Sequence, residues 1–171
     1  MQWAVNHLGH FYLTYLLWPK LVNGTFYRVV NVSSRGHIQY LGFFHKIGID
    51  FDNINFDKNY DRHLSYSRSK LYNVLFTRAL ASKIDKSKGV VVSVNPGVVR
   101  TDIIRELVGD GFKGKLLGIL LKVVWPLFCL FTKSKQQGAS TSLYALLSPQ
   151  VKNGRYYTSC RVSPESKLVS P

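Results

Sequence analysis

A segment with helical periodicity, LSYSRSKLYNVLF at residues 64–76, places Tyr66 and Lys70 four positions apart. At that spacing two helical side chains project from one face, one turn from each other. A phenol by itself ionises near pH ~10. An ammonium about 4 Å away favours the phenolate by roughly 4 kcal/mol at an effective dielectric of ~20. The segment therefore predicts a tyrosine that exchanges protons near neutral pH.

The spacing alone is not specific. With 10 tyrosines and 14 lysines among 171 residues, chance predicts about one such Tyr-to-Lys spacing, so a purely structural role stays open. The interpretation depends on what the flanking sequence supplies.

The flanking segments predict an α/β fold. Residues 26–32, FYRVVNV, are β-branched and aromatic, and residues 90–94 form a second apolar run. Two buried strands separated by a helix make a right-handed βαβ unit with a parallel sheet. Polar or turn residues follow both strands, namely Ser33, Ser34, Asn95, Pro96 and Gly97. Functional groups collect at the carboxyl ends of such strands, so we expect a site there.

The rest of the chain extends this single domain over residues 1–171. We expect a largely buried helix at 2–21, a final helix at 136–147 and a short last strand at 155–158. Asp61 or Ser65 is expected to cap the helix that carries Tyr66. The long connection at 35–63 either covers a site or makes a surface excursion.

The most apolar stretch, residues 116–131, is interrupted by Lys122 and Pro126. It is shorter than the ~20 residues that a spanning helix needs. We interpret the surrounding region, 102–135, as a hydrophobic substrate lid or a membrane-contact region. The amino terminus lacks a signal peptide, and its apolar helix without a preceding strand suggests a truncated chain.

Composition limits the function classes. The chain is 46% hydrophobic and carries a net charge of +14, which favours a real core and attraction to phosphates or an anionic surface. No run of five Lys or Arg occurs, so we predict no nucleic-acid partner. Cys129 and Cys160 lack metal spacing, and His7 and His10 have no acidic neighbour in sequence, so we predict no metal. This cysteine usage favours a reducing, intracellular compartment.

Five signals in one order carry a family resemblance. They are Val5-Asn6-His7-Leu8-Gly9-His10-Phe11, Val30-Asn31-Val32-Ser33-Ser34, the Tyr66-to-Lys70 spacing continued by Leu71-Tyr72-Asn73, Asn95-Pro96-Gly97, and Thr101. The chain resembles the carboxyl-terminal portion of a short-chain dehydrogenase/reductase, nearest the retinol dehydrogenase-like group. The resemblance implies the last three strands of a Rossmann-like, doubly wound parallel sheet, with flanking helices and an apolar helical lid.

The resemblance also implies roles for individual residues. Ser34 would hydrogen-bond the substrate's carbonyl or alcohol oxygen, and Tyr66 would act as general acid or base on that oxygen. Lys70 would assist Tyr66 and bind the nicotinamide ribose, while Asn6 would hold a water that links Lys70 to solvent. The expected cofactor contacts are Tyr66, Lys70, Pro96, Gly97, Val99 and Thr101.

These roles predict an NAD(P)-dependent oxidoreductase acting on a hydrophobic, retinol-like alcohol or carbonyl, with NADP slightly ahead of NAD. The Gly-rich phosphate loop TGxxxGxG is not found in the sequence. Without a preceding strand, residues 26–32 would form an exposed hydrophobic edge. The alternative is therefore a catalytically inactive homologue that binds a partner or a membrane. A homodimer, a membrane surface as partner, and a location at the endoplasmic reticulum, another membrane or the cytoplasm are further expectations.

Overall fold

The computed structural model describes residues 1–38, 48–100 and 132–169. Among these, four strands form one sheet in the order β1-β2-β3-β4. The strands are β1 (Tyr27–Val32), β2 (Gly89–Asn95), β3 (Tyr156–Thr158) and β4 (Arg161–Val162). The helices are α1 (Gly9–Val22), α2 (Arg62–Lys83) and α3 (Lys135–Leu147), with a π-helical turn at Ala4–Leu8 and a 3-10 turn at Arg35–His37.

The parallel α/β sheet expected from the sequence is confirmed. β1 pairs in parallel with β2, and β2 pairs in parallel with β3. The register aligns Val32 with Val94, and the Ser33 amide donates to Val94 O at 2.8 Å. The carboxyl ends of β1 and β2 therefore lie side by side. The three expected strands are β1, β2 and β3, and the short antiparallel strand β4 adds to them.

Helices α2 and α3 cover opposite faces of this sheet. Val91 packs with Ala81 and Ile84 from the α2 region, whereas Val92 and Val94 pack with Ala145 of α3. Because successive strand residues point to opposite faces, the apolar run in β2 is buried on both sides. The result is three layers, with the carboxyl ends of the strands open to the site.

Helix ends follow the expected capping chemistry. Asp61 accepts hydrogen bonds from the His63 and Leu64 amides at the start of α2. At the start of α3, Ser134 and Gln137 form a reciprocal capping box.

Helix α1 differs from the expected buried helix, since none of its residues is buried. Tyr12 and Tyr15 are 56% and 67% exposed. The helix contacts its neighbours along one side, where Phe11 meets Phe76 at 5.1 Å and Trp18 meets Tyr27 at 5.6 Å between ring centroids. A groove of about 550 Å³ separates α1 from the outer edge of β1. The apolar pattern of α1 therefore reflects a helix that is only partly covered in this structure.

Most of the proposed lid, residues 102–131, lies outside the described residues, as do residues 39–47 of the long connection. The last residues of the lid range belong elsewhere, because Ser134 caps α3 and Lys135 begins it. Within the described part of the chain, no helix combines the length and apolarity that a bilayer crossing requires.

Candidate active site

Tyr66 and Lys70 lie on α2 beside the carboxyl end of β1. The Lys70 ammonium is 5.7 Å from the centroid of the Tyr66 ring, which is within cation–π range. It also donates to Val32 O at 3.2 Å. Burial lowers the pKa of Lys70, and neither ion pair found between described residues involves this lysine. The pair therefore combines an accessible phenol with a half-buried cation.

Ser34 follows β1 and faces Tyr66 across a glycine. Its Oγ accepts a hydrogen bond from the Gly36 amide at 3.2 Å. A methyl group built on Gly36 would lie 3.5 Å from both Ser34 Oγ and Tyr66 Cε1. The neighbouring Ser33 is buried, and its hydroxyl donates to Lys70 O at 2.8 Å. Of the two serines, Ser34 is the one whose hydroxyl lies, with Tyr66, next to Gly36.

Asn6 reaches α2 through Ser69. Asn6 Nδ2 donates to Ser69 Oγ at 3.1 Å, and the Ser69 hydroxyl donates to Tyr66 O at 2.7 Å. Asn6 lies in the π-helical turn that precedes α1, a feature often found at functional sites. The contact thus runs to the main chain of Tyr66, while the water link from Asn6 to Lys70 stays a prediction.

Asn73 is a site residue that sequence reasoning did not assign. Its Nδ2 donates to both Asn6 O, at 3.0 Å, and Val32 O, at 3.2 Å. Its Oδ1 lies 3.0 Å from His7 Nδ1. Lys70 and Asn73 therefore converge on the last carbonyl of β1. An asparagine inside a helix disfavours that helix unless its amide has partners. The presence of Asn73 in the predicted helix therefore indicated that it has partners, but not which ones.

The expected cofactor positions follow β2. Gly97 has a φ of 87° and donates its amide to Asn95 Oδ1 at 3.0 Å. Val99 pairs with Lys133, whose side chain comes within 3.3 Å of the position of a Cβ on Gly97. Lys133 was not expected at this loop. Pro96 lies in the same turn, and Thr101 lies outside the described residues.

No protein-family model matches the chain. Comparison with curated proteins, however, finds relatives of similar sequence. Human retinol dehydrogenase 12 is 39% identical over 169 residues, covering 96% of this chain and 48% of that protein. Human retinol dehydrogenase 14 is 39% identical over 168 residues, covering 94% of this chain and 44% of that protein. Over these residues the chain is similar to the retinol dehydrogenases. It spans about half the length of the curated relatives it matches.

Two solved structures have the same fold as this chain. An NADPH-bound carbonyl reductase from chicken fatty liver superposes with a TM-score of 0.59 at 15% identity, covering 94% of this chain and 54% of that one. Salutaridine reductase from Papaver somniferum gives 0.58 at 21% identity, covering 91% and 53%. The sheet and helices therefore have the Rossmann-type fold of these reductases.

Proposed function

We propose that this chain carries the proton-transfer residues of an NAD(P)-dependent oxidoreductase that acts on a hydrophobic, retinol-like alcohol, aldehyde or ketone. The observation that carries the proposal is the convergence of Ser34, Tyr66 and Lys70 at the carboxyl ends of two parallel strands. The homology to retinol dehydrogenases supports the substrate class.

The hydrogen bonds around Ser34 support its role toward a substrate oxygen. Because Ser34 Oγ already accepts from the Gly36 amide, its own hydrogen is left to be donated. A carbonyl oxygen held by that hydroxyl would lie beside the Tyr66 phenol. In reduction Tyr66 gives its proton to this oxygen, and in oxidation the phenolate removes the proton of the alcohol.

Lys70 supports Tyr66 in either direction. Its positive charge lies 5.7 Å from the centre of the ring on which negative charge develops as the proton is given. The Lys70 ammonium donates a hydrogen bond to Val32 O, which holds it at the end of β1. Asn6, through Ser69, holds the main chain of Tyr66, and we propose that it also holds the water through which the proton returns to solvent.

The residues present fit the nicotinamide end of the proposed cofactor. Lys70 uses one of its three N–H groups on Val32 O, so two remain for ribose hydroxyls. Gly97 presents backbone without a side chain, and Pro96 and Val99 flank it. When bound, the nicotinamide supplies or accepts the hydride. We place NADP slightly ahead of NAD.

The open groove beside β1 favours a second candidate function. Among the described residues no strand pairs with the outer edge of β1, and most of α1 is exposed. In this second proposal the chain is catalytically inactive and acts by binding a partner, such as a second copy of itself or a membrane surface. The net charge of +14 supports attraction to an anionic surface inside the cell.

Turnover by the purified chain distinguishes the two functions. NADPH or NADH would be supplied with retinoid and aliphatic aldehydes, and Tyr66→Phe compared with Tyr60→Phe, a matched change at another exposed tyrosine. We expect Tyr66→Phe to lower kcat by roughly 10²- to 10⁴-fold and Tyr60→Phe to leave it unchanged. Equal turnover in both variants would rule out Tyr66 as the acid.

Cofactor binding provides the second readout. A ligand at 100 times its Kd stabilises the folded state by about 2.7 kcal/mol, which raises the melting temperature. Neither turnover nor a melting shift with either cofactor would instead support the non-catalytic function.

A further inference from the structure

His37 is fully buried three residues after Ser34, and both of its ring nitrogens have partners. Nδ1 lies 2.6 Å from Ser34 O, and Nε2 accepts from the Ser166 amide at 3.3 Å. A backbone amide only donates, so Nε2 must be unprotonated. Nδ1 therefore carries the hydrogen and donates it to Ser34 O, which fixes one neutral tautomer.

The segment that meets Nε2, residues 163–169, is itself firmly attached. Glu165 forms an ion pair with Arg78 of α2 at 3.0 Å, and its side chain is only 6% exposed. The Ser163 amide donates to Tyr156 O at 2.9 Å. Val169 packs in a core cluster with residues of α2 and β3. Ser166 thus presents its amide from a fixed position.

The surroundings of the ring keep it neutral. The His37 ring contacts Tyr156 edge-on, with 4.7 Å between centroids. Burial lowers the pKa of His37, while the hydrogen bond to Ser34 and the charge of Glu165 oppose that effect. The titratable groups facing the ring are Glu165 from the segment and Tyr156 from β3. Burial raises the pKa of Tyr156, with smaller effects from the charges of Arg35 and Tyr66.

We propose that His37 is a positioning residue, which orients Ser34 toward the substrate by donating its Nδ1 hydrogen to the Ser34 main chain, in the tautomer that the Ser166 amide fixes. Ser34 O receives both the His37 backbone amide and the His37 ring, so the turn that carries the Ser34 hydroxyl is held from two sides. The inference rests on the proposed role of Ser34. Residues 163–169, remote in sequence, contribute by fixing which ring nitrogen carries the hydrogen.

Three variants separate the two hydrogen bonds of the ring. His37→Asn offers an amide N–H near the position of Nδ1, and His37→Gln offers an acceptor near Nε2. His37→Phe keeps the ring on Tyr156 and loses both bonds. We expect kcat to fall about 10- to 100-fold in the Gln and Phe variants, because small misplacement of an orienting group is costly. The Asn variant should recover most of kcat, and the KM for the cofactor should stay unchanged in all three.

The exposed His63 gives a matched control, since His63→Phe should leave kcat unchanged. Wild-type kcat in His37→Phe, with Tyr66→Phe inactive, would overturn the role of His37 and leave the proposed function standing. A loss in all three variants, the Asn variant included, would also overturn it.

If the chain has no turnover, the role of His37 can still be tested by measurements that do not depend on activity. Nitrogen-15 NMR of the full chain should show His37 protonated at Nδ1 only. Amide exchange at Gly36 and Ser166 should accelerate in His37→Phe, and exchange at Gly36 should remain slow in His37→Asn. A proton on Nε2, or unchanged exchange at Gly36 in the Phe variant, would overturn the proposal.

Discussion

A single amide, that of Asn73, joins three parts of the molecule. It connects α2 with the π-helical turn through Asn6 O and His7, and with the end of β1 through Val32 O. Because the side chain is buried, replacing it leaves polar groups without their partner. The geometry of the candidate site thus depends on a residue with no chemical role of its own.

We expect Asn73→Leu to lower the free energy of unfolding by about 1–3 kcal/mol. The leucine is of similar size, so the loss would come from the unsatisfied groups rather than from a cavity. Urea unfolding measures it, with Asn55→Leu as the control at an exposed asparagine. Equal losses in the two variants would show that the Asn73 hydrogen bonds contribute nothing net.

The buried His37 and the half-buried His7 make the stability of the fold depend on pH. Burial lowers the pKa of both His7 and His37 below its usual value. In the unfolded chain each titrates near pH ~6.5, so below that pH the unfolded state binds more protons and folding weakens.

Stability should therefore be constant from pH 8 to about pH 6.5 and should fall as the pH decreases further. His37→Asn should reduce the slope of that fall without abolishing it, because His7 still contributes. Unfolding free energies at several pH values provide the measurement. A slope equal to that of the wild type would mean that His37 is protonated in the folded state.

Tyr66, Lys70 and Ser34 stand out in the sequence because each belongs to a short pattern, and their roles stay predictions. Asn73 continues the same pattern as Tyr66, but the contacts of Asn73 and His37 could not be predicted, since their partners are distant along the chain. Ser166 lies 129 positions from His37, and Asn6 lies 67 positions from Asn73. No local period or spacing signals such contacts.

At the level of single elements, the start of α2 determines where Tyr66 faces. Asp61 accepts from two amides that would otherwise lack partners, at 2.8 and 2.9 Å. Without this cap the first turn of α2 would fray, and that turn lies only a few residues before Tyr66.

Asp61→Ala should lower the unfolding free energy by about 1 kcal/mol. Asp57→Ala removes the same charge from the exposed loop and should have little effect. Asp61→Asn should retain most of the stability, since asparagine also caps well. Thermal or urea unfolding checks all three, and identical results for Asp57→Ala and Asp61→Ala would exclude the cap as the cause.

Elements with a clear period were predicted within a residue or so, whereas the short strand β4 was not predicted. β1, β2 and α3 begin and end close to the expected positions because their patterns mark both the buried faces and the breaks. β4 has only two residues, and its hairpin turn places Ser159 and Cys160 at φ of 51° and 61°. Turns of this kind favour Asn-Gly, so Ser-Cys gives no such signal.

Across the whole molecule, the sheet has two unlike edges. The amides of Tyr27 and Ser33 donate toward β2, so the alternate residues of β1 direct their backbone groups outward, away from β2. The sequence already predicted this strand to be an exposed edge, and the structure places β1 at the end of the sheet order. Such an edge invites pairing with another chain.

We expect the chain to self-associate as its concentration rises, and Val32→Lys to reduce that association, because charge on an edge strand opposes pairing. Val162→Lys makes the same change on β4, at the opposite edge, and should not reduce it. Val32 and Val162 are similarly exposed, at 46% and 52%. Light scattering or sedimentation at several concentrations compares them. Equal effects would indicate general charge repulsion rather than pairing through β1.

The fold was predictable at this scale because the βαβ pattern is local, whereas the coverage of α1 was not. The hydrophobic pattern of an apolar helix is the same whether its outer side is covered by another element or exposed. Here one side of α1 lines the groove next to β1 and stays open, which is a property of the folded structure and not of the local sequence.

The position of Trp18 gives α1 an optical signature. Its indole lies edge-on to Tyr27 and packs against the cluster that includes Ala81 and Ile84. Lifting α1 from the sheet would move this fluorophore into water while α2 and the strands keep their circular dichroism. Emission and dichroism therefore report different events in this chain, and a difference between their melting curves would measure how independently α1 detaches.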